Sequence, residues 1–147
     1  MDKKFDVVIV GTGAAGLYAA LNFPESVNIL LVSKRELQLS NSSLAQGGVA
    51  CVLDTVHDSY KLHITDTLIV GKYKNTLSAV EKLVTEGPSD VLKIKDLGVD
   101  FDLNEDGTMC KTLEAGHSRN RIVHHKDSTG KAIVDGLIAK VTQLKNV

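Results

Sequence analysis

At 147 residues the chain is long enough for one domain with a buried core. Hydrophobic residues make up 43% and charged residues 24%, the balance of an ordered globular chain. A net charge of -1 with acids and bases mixed argues against a nucleic-acid surface or a polybasic membrane patch, and 4% aromatics without tryptophan argues against base-stacking modules.

The first element is "DVVIV", residues 6–10, an uninterrupted β-branched run that reads as a strand covered on both faces. A helix is expected from Ala14 to about Phe23, ending near Pro24, and "VNILLVS", residues 27–33, repeats the buried-strand pattern. Strand, helix and strand in so short a span make a βαβ unit with parallel strands and a right-handed crossover. The texture then changes to a Ser- and Gly-rich stretch, "KRELQLSNSSLAQGGVA", too long for a mere connection. "DSYKLHITDTLIVG" has helical spacing, and "TLSAVEKLVTEG" predicts a helix that breaks at Gly87-Pro88. "SDVLKIKDLG" predicts a further helical piece, with Ser89 as N-cap and Gly98 as the C-terminal stop. "VDFDLNEDGTMCKTL" reads as a β-hairpin turning at Asp106-Gly107. "STGKAIVDGLIAKVTQL" is an amphipathic helix with Ile133, Val134, Leu137, Ile138, Val141 and Leu144 on one face, after which Asn146 looks like the turn into another strand.

Cys51 and Cys110 lie far apart without metal or redox spacing and read as reduced thiols of a cytosolic protein. No apolar run is long enough to span a bilayer, and the start of the chain is not a signal peptide.

"GTGAAG" matches G-x-G-x-x-G, a weak pattern alone. Directly after a buried strand and at the opening of a helix it becomes the fingerprint of a dinucleotide site. Gly11 permits the tight turn, Gly13 lets a pyrophosphate approach the backbone, and Gly16 lets helix and strand pack closely. Thr12, Ala14 and Ala15 complete the turn, whose free N–H groups and helix dipole favour phosphate. Ser33 and Lys34 stand where nicotinamide folds place an acid for the adenosine ribose, which weakens a plain NAD reading. In "SNSSLAQGG", Asn41, Ser42, Ser43 and Gln46 offer polar groups to phosphate and ribitol oxygens, and Gly47 and Gly48 let backbone lie against a flat ring. Leu44 and Ala45 complete that segment.

"DVVIVGTGAAGL", "LVSK", "AQGG", "DTL" before Gly71, "GVDFD", "EAGHS" with Arg121-Ile122 and His124, then Asp127 and Thr129-Gly130 follow one another in a familiar order. In these motifs the chain resembles the N-terminal part of the L-aspartate oxidases, in the succinate dehydrogenase/fumarate reductase flavoprotein superfamily, over essentially its whole length. The resemblance implies an α/β, Rossmann-like FAD-binding domain with a parallel sheet, incomplete within residues 1–147, plus a small β-hairpin. The capping and C-terminal domains, with the arginines that handle proton and substrate carboxylates, would be absent, so no catalytic residue falls here and the chain alone is expected not to turn over aspartate.

It further implies FAD as cofactor, with L-aspartate oxidised to iminoaspartate and oxygen or fumarate as electron acceptor. Quinolinate synthase would be the pathway partner, toward NAD synthesis in the cytoplasm. FAD contacts are implied at Thr12 through Ala15, at Lys34, and at Asn41 through Gly48. The superfamily histidine that bonds covalently to flavin would fall on Asn41, so the flavin should be non-covalent. Glu114 takes the place of a carboxylate near the substrate ammonium, which would favour aspartate over succinate or fumarate. Leu113 and Ala115 depart from the Arg and Gly of many relatives. His117, Arg121, His124 and His125 form a dense group whose spacing matches no common zinc site, so no metal is expected. The readings from other classes are a soluble fumarate reductase or succinate dehydrogenase-type flavoprotein, a non-catalytic nucleotide-binding module, and an NAD(P)-binding dehydrogenase domain.

Overall fold

The computed structural model describes residues 4–147, which divide into two units. The first holds residues up to Gly47, together with Leu97–Asp100 and Asp127–Val147. The second holds Gly48–Asp96 and Phe101–Lys126.

In the first unit β1 (Val7–Val10), α1 (Ala14–Leu21) and β2 (Ile29–Val32) form the expected βαβ arrangement. The strands are parallel, in register from Val7 opposite Ile29 to Val10 opposite Val32. Helix α4 (Thr129–Val141) packs on α1, burying Val134, Leu137 and Val141 with Leu17, Ala20 and Ile29. The expectation of strands covered on both faces is corrected here. Val7, Ile9, Ile29 and Leu31 face the helices, whereas Val8, Val10, Leu30 and Val32 are exposed, Val10 by 84%. Among the described residues only one face of this sheet has a covering layer. Asn146 lies beside the start of β2. Its carbonyl accepts the Ile29 N–H at 2.7 Å and its Nδ2 donates to the Val27 carbonyl at 2.7 Å, tying the last residues to the start of β2.

The second unit has two helices and a small antiparallel sheet. Helix α2 (Tyr60–Val70) starts where Ser59 Oγ accepts the Leu62 N–H, a cap that satisfies one of the free donors of the first turn. Helix α3 (Leu77–Asp96) runs unbroken through Pro88, which corrects the expected break at Gly87-Pro88. The two segments carry one continuous buried stripe, Val80, Val84, Pro88 and Val91, packed toward α2, and that packing outweighs the hydrogen bond proline removes. Ser89 is therefore mid-helix rather than an N-cap, and its hydroxyl donates to the Glu86 carbonyl. Gly98, two residues past α3, has φ +97, as a helix stop requires.

Three two-residue strands make the sheet: β3 (Val49–Ala50), β4 (Lys111–Thr112) and β5 (Ile122–Val123), in the order β3-β5-β4. The expected hairpin exists as a turn. Asn104 and Thr108 pair across Asp106-Gly107, Gly107 has φ +80, and a single bridge joins Leu103 to Met109. Beyond it, β4 pairs with β5 and not with the first arm of the hairpin.

Cys51 is 1% exposed, and burial pushes its thiol up to about 12, with Lys111 only partly opposing this. Cys110 is partly exposed. The native chain should thus react with one equivalent of a thiol reagent at neutral pH and with a second only on unfolding. Two fast-reacting thiols would show that β3 opens readily.

Candidate functional site

The glycine-rich turn is built as local sterics demand. Gly11 leaves β1 at φ +114, a conformation L side chains rarely adopt. A Cβ on Gly16 would overlap the Gly11 carbonyl oxygen and touch Ile9, so only glycine lets α1 sit this close to β1. A Cβ on Gly13 would lie 3.0 Å from Ser42 Oγ. That hydroxyl accepts the Ala14 N–H at 3.2 Å, at the N-terminus of α1.

Beside this turn, within the first unit, lies a cleft of about 720 Å³. It brings together Gly11, Thr12, Gly13, Ser33, Lys34, Asn41, Ser42 and Leu44. Val10, Val32, Leu39, Ser40 and Arg35 also line it, and the last of these sequence reasoning passed over although it directly follows Lys34. Among the described residues two cations and no carboxylate line the cleft, and it opens at a helix N-terminus. That donor set suits a diphosphate.

Other expected cofactor residues stand elsewhere. Ala14, Ala15 and Gly16 form the first turn of α1, immediately behind Gly13. Ser43 is spent on its own turn, where its hydroxyl donates to the carbonyls of Gln38 and Ser40. Ala45 offers its carbonyl to the Gly130 N–H at 3.0 Å. Gln46 is exposed, and Gly47 has open space where a Cβ would be. Gly48, in the second unit, lies so close to Ile122 and the Val123 carbonyl that a Cβ would overlap them.

Gly130 was missed as a site residue. A Cβ there would overlap the Ser42 carbonyl oxygen and stand 2.7 Å from that of Ala45. The first turn of α4 thus clamps the Ser40–Ala45 segment that walls the cleft. The signal was present in Thr129-Gly130, but what a helix-opening glycine touches is a tertiary fact.

The second unit sorts the histidines and arginine into two groups. Arg121 is fully buried and forms a two-bond pair with Asp58, Nε to Oδ2 at 2.7 Å and Nη2 to Oδ1 at 2.8 Å. Its Nη1 donates to Asp66 Oδ2 at 2.6 Å and lies 3.2 Å from His117 Nδ1. Burial acts to raise the Asp58 carboxyl. The Arg121 hydrogen bonds and the Ser59 N–H outweigh it, so the group stays below the usual carboxylate range. His63 packs its ring 5.6 Å from that of His117, and burial, then Arg121, push its pKa down to about 4, leaving it neutral at physiological pH.

In the other group His124 Nδ1 donates to Asp102 Oδ2 at 2.9 Å, the Lys126 N–H donates to the same oxygen at 2.6 Å, and His125 Nδ1 lies 4.0 Å from Asp102 Oδ1. Among the described residues no three His, Cys, Asp or Glu side chains gather to hold a metal. Glu114 is exposed on a turn closed by the His117 N–H on the Glu114 carbonyl at 3.2 Å.

A parallel βαβ unit, a glycine turn at a helix N-terminus and a cationic cleft define a dinucleotide-binding α/β protein. Comparison with known proteins gives the particular family. Residues 6–147 match the FAD binding domain family, and the chain belongs to it. FAD is accordingly its cofactor.

An L-aspartate oxidase from Clostridium perfringens is 45% identical over 147 residues, covering 100% of this chain and 33% of that protein. One from Acinetobacter baylyi is 43% identical over 97% of this chain and 26% of that protein. Among solved structures, the FrdA chain of E. coli quinol fumarate reductase superposes with a TM-score of 0.92 at 28% identity, over 97% of this chain and 25% of that one. The chain therefore spans a quarter to a third of the length of these relatives. Among the described residues no helix is long and apolar enough to cross a membrane.

Proposed function

We propose that the chain is the dinucleotide-holding part of an L-aspartate oxidase. The supporting observation is similarity to L-aspartate oxidases along the whole chain, at 45% and 43% identity. In this reading residues 1–147 are the N-terminal part of an FAD-binding domain that works with segments beyond them.

The turn from Gly11 to Ala15 and the cations Lys34 and Arg35 hold the diphosphate and adenosine end. Asn41 and Ser42 orient the remainder. An asparagine amide is no nucleophile, so Asn41 leaves the flavin non-covalent, and acid precipitation should release it into the supernatant. Bound FAD supplies the acceptor for the hydride that leaves aspartate as it becomes iminoaspartate, and oxygen or fumarate then takes the electrons. Glu114 accepts hydrogen bonds from the substrate ammonium. Succinate and fumarate lack that group, so the carboxylate selects the amino acid. The product would pass toward quinolinate through quinolinate synthase, in the cytoplasm.

The likeness to fumarate reductase, at a TM-score of 0.92, favours a second reading as a succinate- or fumarate-handling flavoprotein. Anaerobic mixing separates them. On the whole FAD-loaded protein, L-aspartate should bleach the flavin absorbance and succinate should not. Bleaching by succinate and not by aspartate would overturn the oxidase reading.

A further inference from the structure

The turn that carries Glu114 is fastened more heavily than an exposed turn needs. Its middle residue Gly116 has φ +86, and a Cβ there would lie 2.8 Å from the Val70 side chain at the end of α2. Just after it, the Ser118 N–H and hydroxyl both donate to Asp66 Oδ2, at 2.9 and 2.8 Å. Arg121 Nη1 donates to the same oxygen. Three donors thus meet at one carboxylate oxygen on a helix. Arg121 is itself immobilised through its other edge by Asp58.

The same Nη1 faces His117 Nδ1 at 3.2 Å. A guanidinium has only donors and stays protonated, so this ring nitrogen must present its lone pair. The proton of His117 therefore sits on Nε2. A proton on Nδ1 would face the arginine cation. Buried, fully partnered charges on rigid elements are a means of holding a recognition group in one geometry before its ligand arrives.

We propose that Asp66 and Arg121 are positioning residues: they fix the 114–118 turn so that Glu114 is presented in one orientation to the ammonium of an amino-acid substrate, with His117 holding its Nδ1 lone pair toward the guanidinium. This rests on the reading of Glu114 given above. The energetic role of the hub is to spare Glu114 the ordering cost on binding, so its loss should weaken aspartate and leave ligands without an ammonium unaffected.

The test uses the whole protein loaded with FAD. Aspartate and succinate are titrated separately into anaerobic protein whose flavin has been chemically reduced beforehand, so that aspartate binds without being oxidised, and their affinities are read from the perturbation of the reduced-flavin spectrum. Asp66→Asn should weaken aspartate about tenfold, as loss of charge-assisted hydrogen bonds does, with succinate within about twofold. Ser118→Ala, a milder change at an exposed residue, should act in the same direction by about threefold. Asp66→Asn added to Glu114→Gln should cost nothing further, because both remove one interaction. Equal losses for aspartate and succinate, or additive losses in the double variant, would overturn the proposal.

If Glu114→Gln alone leaves aspartate affinity unchanged, the reading of Glu114 fails, and nitrogen NMR of His117 then decides the hub by itself. An unprotonated Nδ1 at neutral pH, disturbed by Asp66→Asn, upholds the fastening. A protonated Nδ1 in the parent protein overturns it.

Discussion

Gly130→Ala should lower the affinity for FAD by about one to two orders of magnitude. The glycine opens α4 against the Ser40–Ala45 segment, where its N–H donates to the Ala45 carbonyl at 3.0 Å. An added methyl would overlap the Ser42 carbonyl oxygen and press on the carbonyl and Cβ of Ala45. Two of these three atoms are backbone, so no side-chain rotation relieves the clash. The segment itself must move, taking with it Asn41, Ser42 and Leu44, which wall the cleft, and the Ser42 hydroxyl that caps Ala14 N–H. Overpacking of this kind costs about 1–3 kcal/mol, and if the displaced segment is the cofactor wall that cost appears in binding. Gly87→Ala is the control, since open space surrounds its position in α3, away from the cleft lining, and it should change affinity by no more than about threefold. Quenching of flavin fluorescence on titration measures both. Equal affinities for the two variants would mean that the Ser40–Ala45 segment does not hold the cofactor.

The glycine turn was legible in the sequence because its requirements are local. A positive φ at Gly11 and the contact of Gly16 with Gly11 are fixed by a few adjacent residues. The same holds for Gly98 and for the Asp106-Gly107 turn. The β-branched run of β1 was legible as a strand, but its pattern describes a strand with layers on both sides. Residues 4–147 furnish helices for one side only.

Pro88 misled because propensity counts the hydrogen bond it removes. It does not count the apolar stripe that continues through Val84 and Val91. The small sheet was missed since two-residue strands have no period to detect, and their pairing joins segments far apart in the chain. Arg121 shows the same limit at the site. A buried arginine demands carboxylates, yet nothing in sequence selects Asp58 and Asp66 from the 18 acidic residues. The four residues grouped by their proximity in sequence divide in space into two sets, His117 with Arg121 beside Asp58 and Asp66, and His124 with His125 beside Asp102.

Arg121→Met should reverse the sign of the pH dependence of stability in the second unit. In the parent chain Asp58 is held below the ordinary carboxylate range, and so is Asp66. Burial opposes this at both, and the hydrogen bonds from Arg121, Ser59 and Ser118 prevail. A carboxyl depressed by folding contributes stability above its unfolded pKa of about 4 and loses it as pH falls through the folded value. The parent should therefore be indifferent to pH between 7 and 5 as far as these two groups are concerned, and should weaken in stronger acid.

Methionine keeps much of the arginine's length and removes the cation. Asp58 is then left buried, its side chain 4% exposed, with one backbone N–H in place of a guanidinium. Removing one partner of a buried pair costs about 3–5 kcal/mol because the remaining charge is stranded. In the variant burial acts almost alone and raises the Asp58 carboxyl above its unfolded value. A raised carboxyl binds its proton more readily folded than unfolded, so acidification from pH 7 toward 5 should recover part of the loss. Asp58→Asn together with Arg121→Met should recover part of it at pH 7 without acid, since no charge is left at position 58. Urea unfolding of the parent, the single and the double variant across this pH range measures all three. A single variant that gains no stability on acidification from pH 7 to 5 would mean that Asp58 reaches water once the arginine is gone, and that the pair is not the sealed hub on which the 114–118 turn is built.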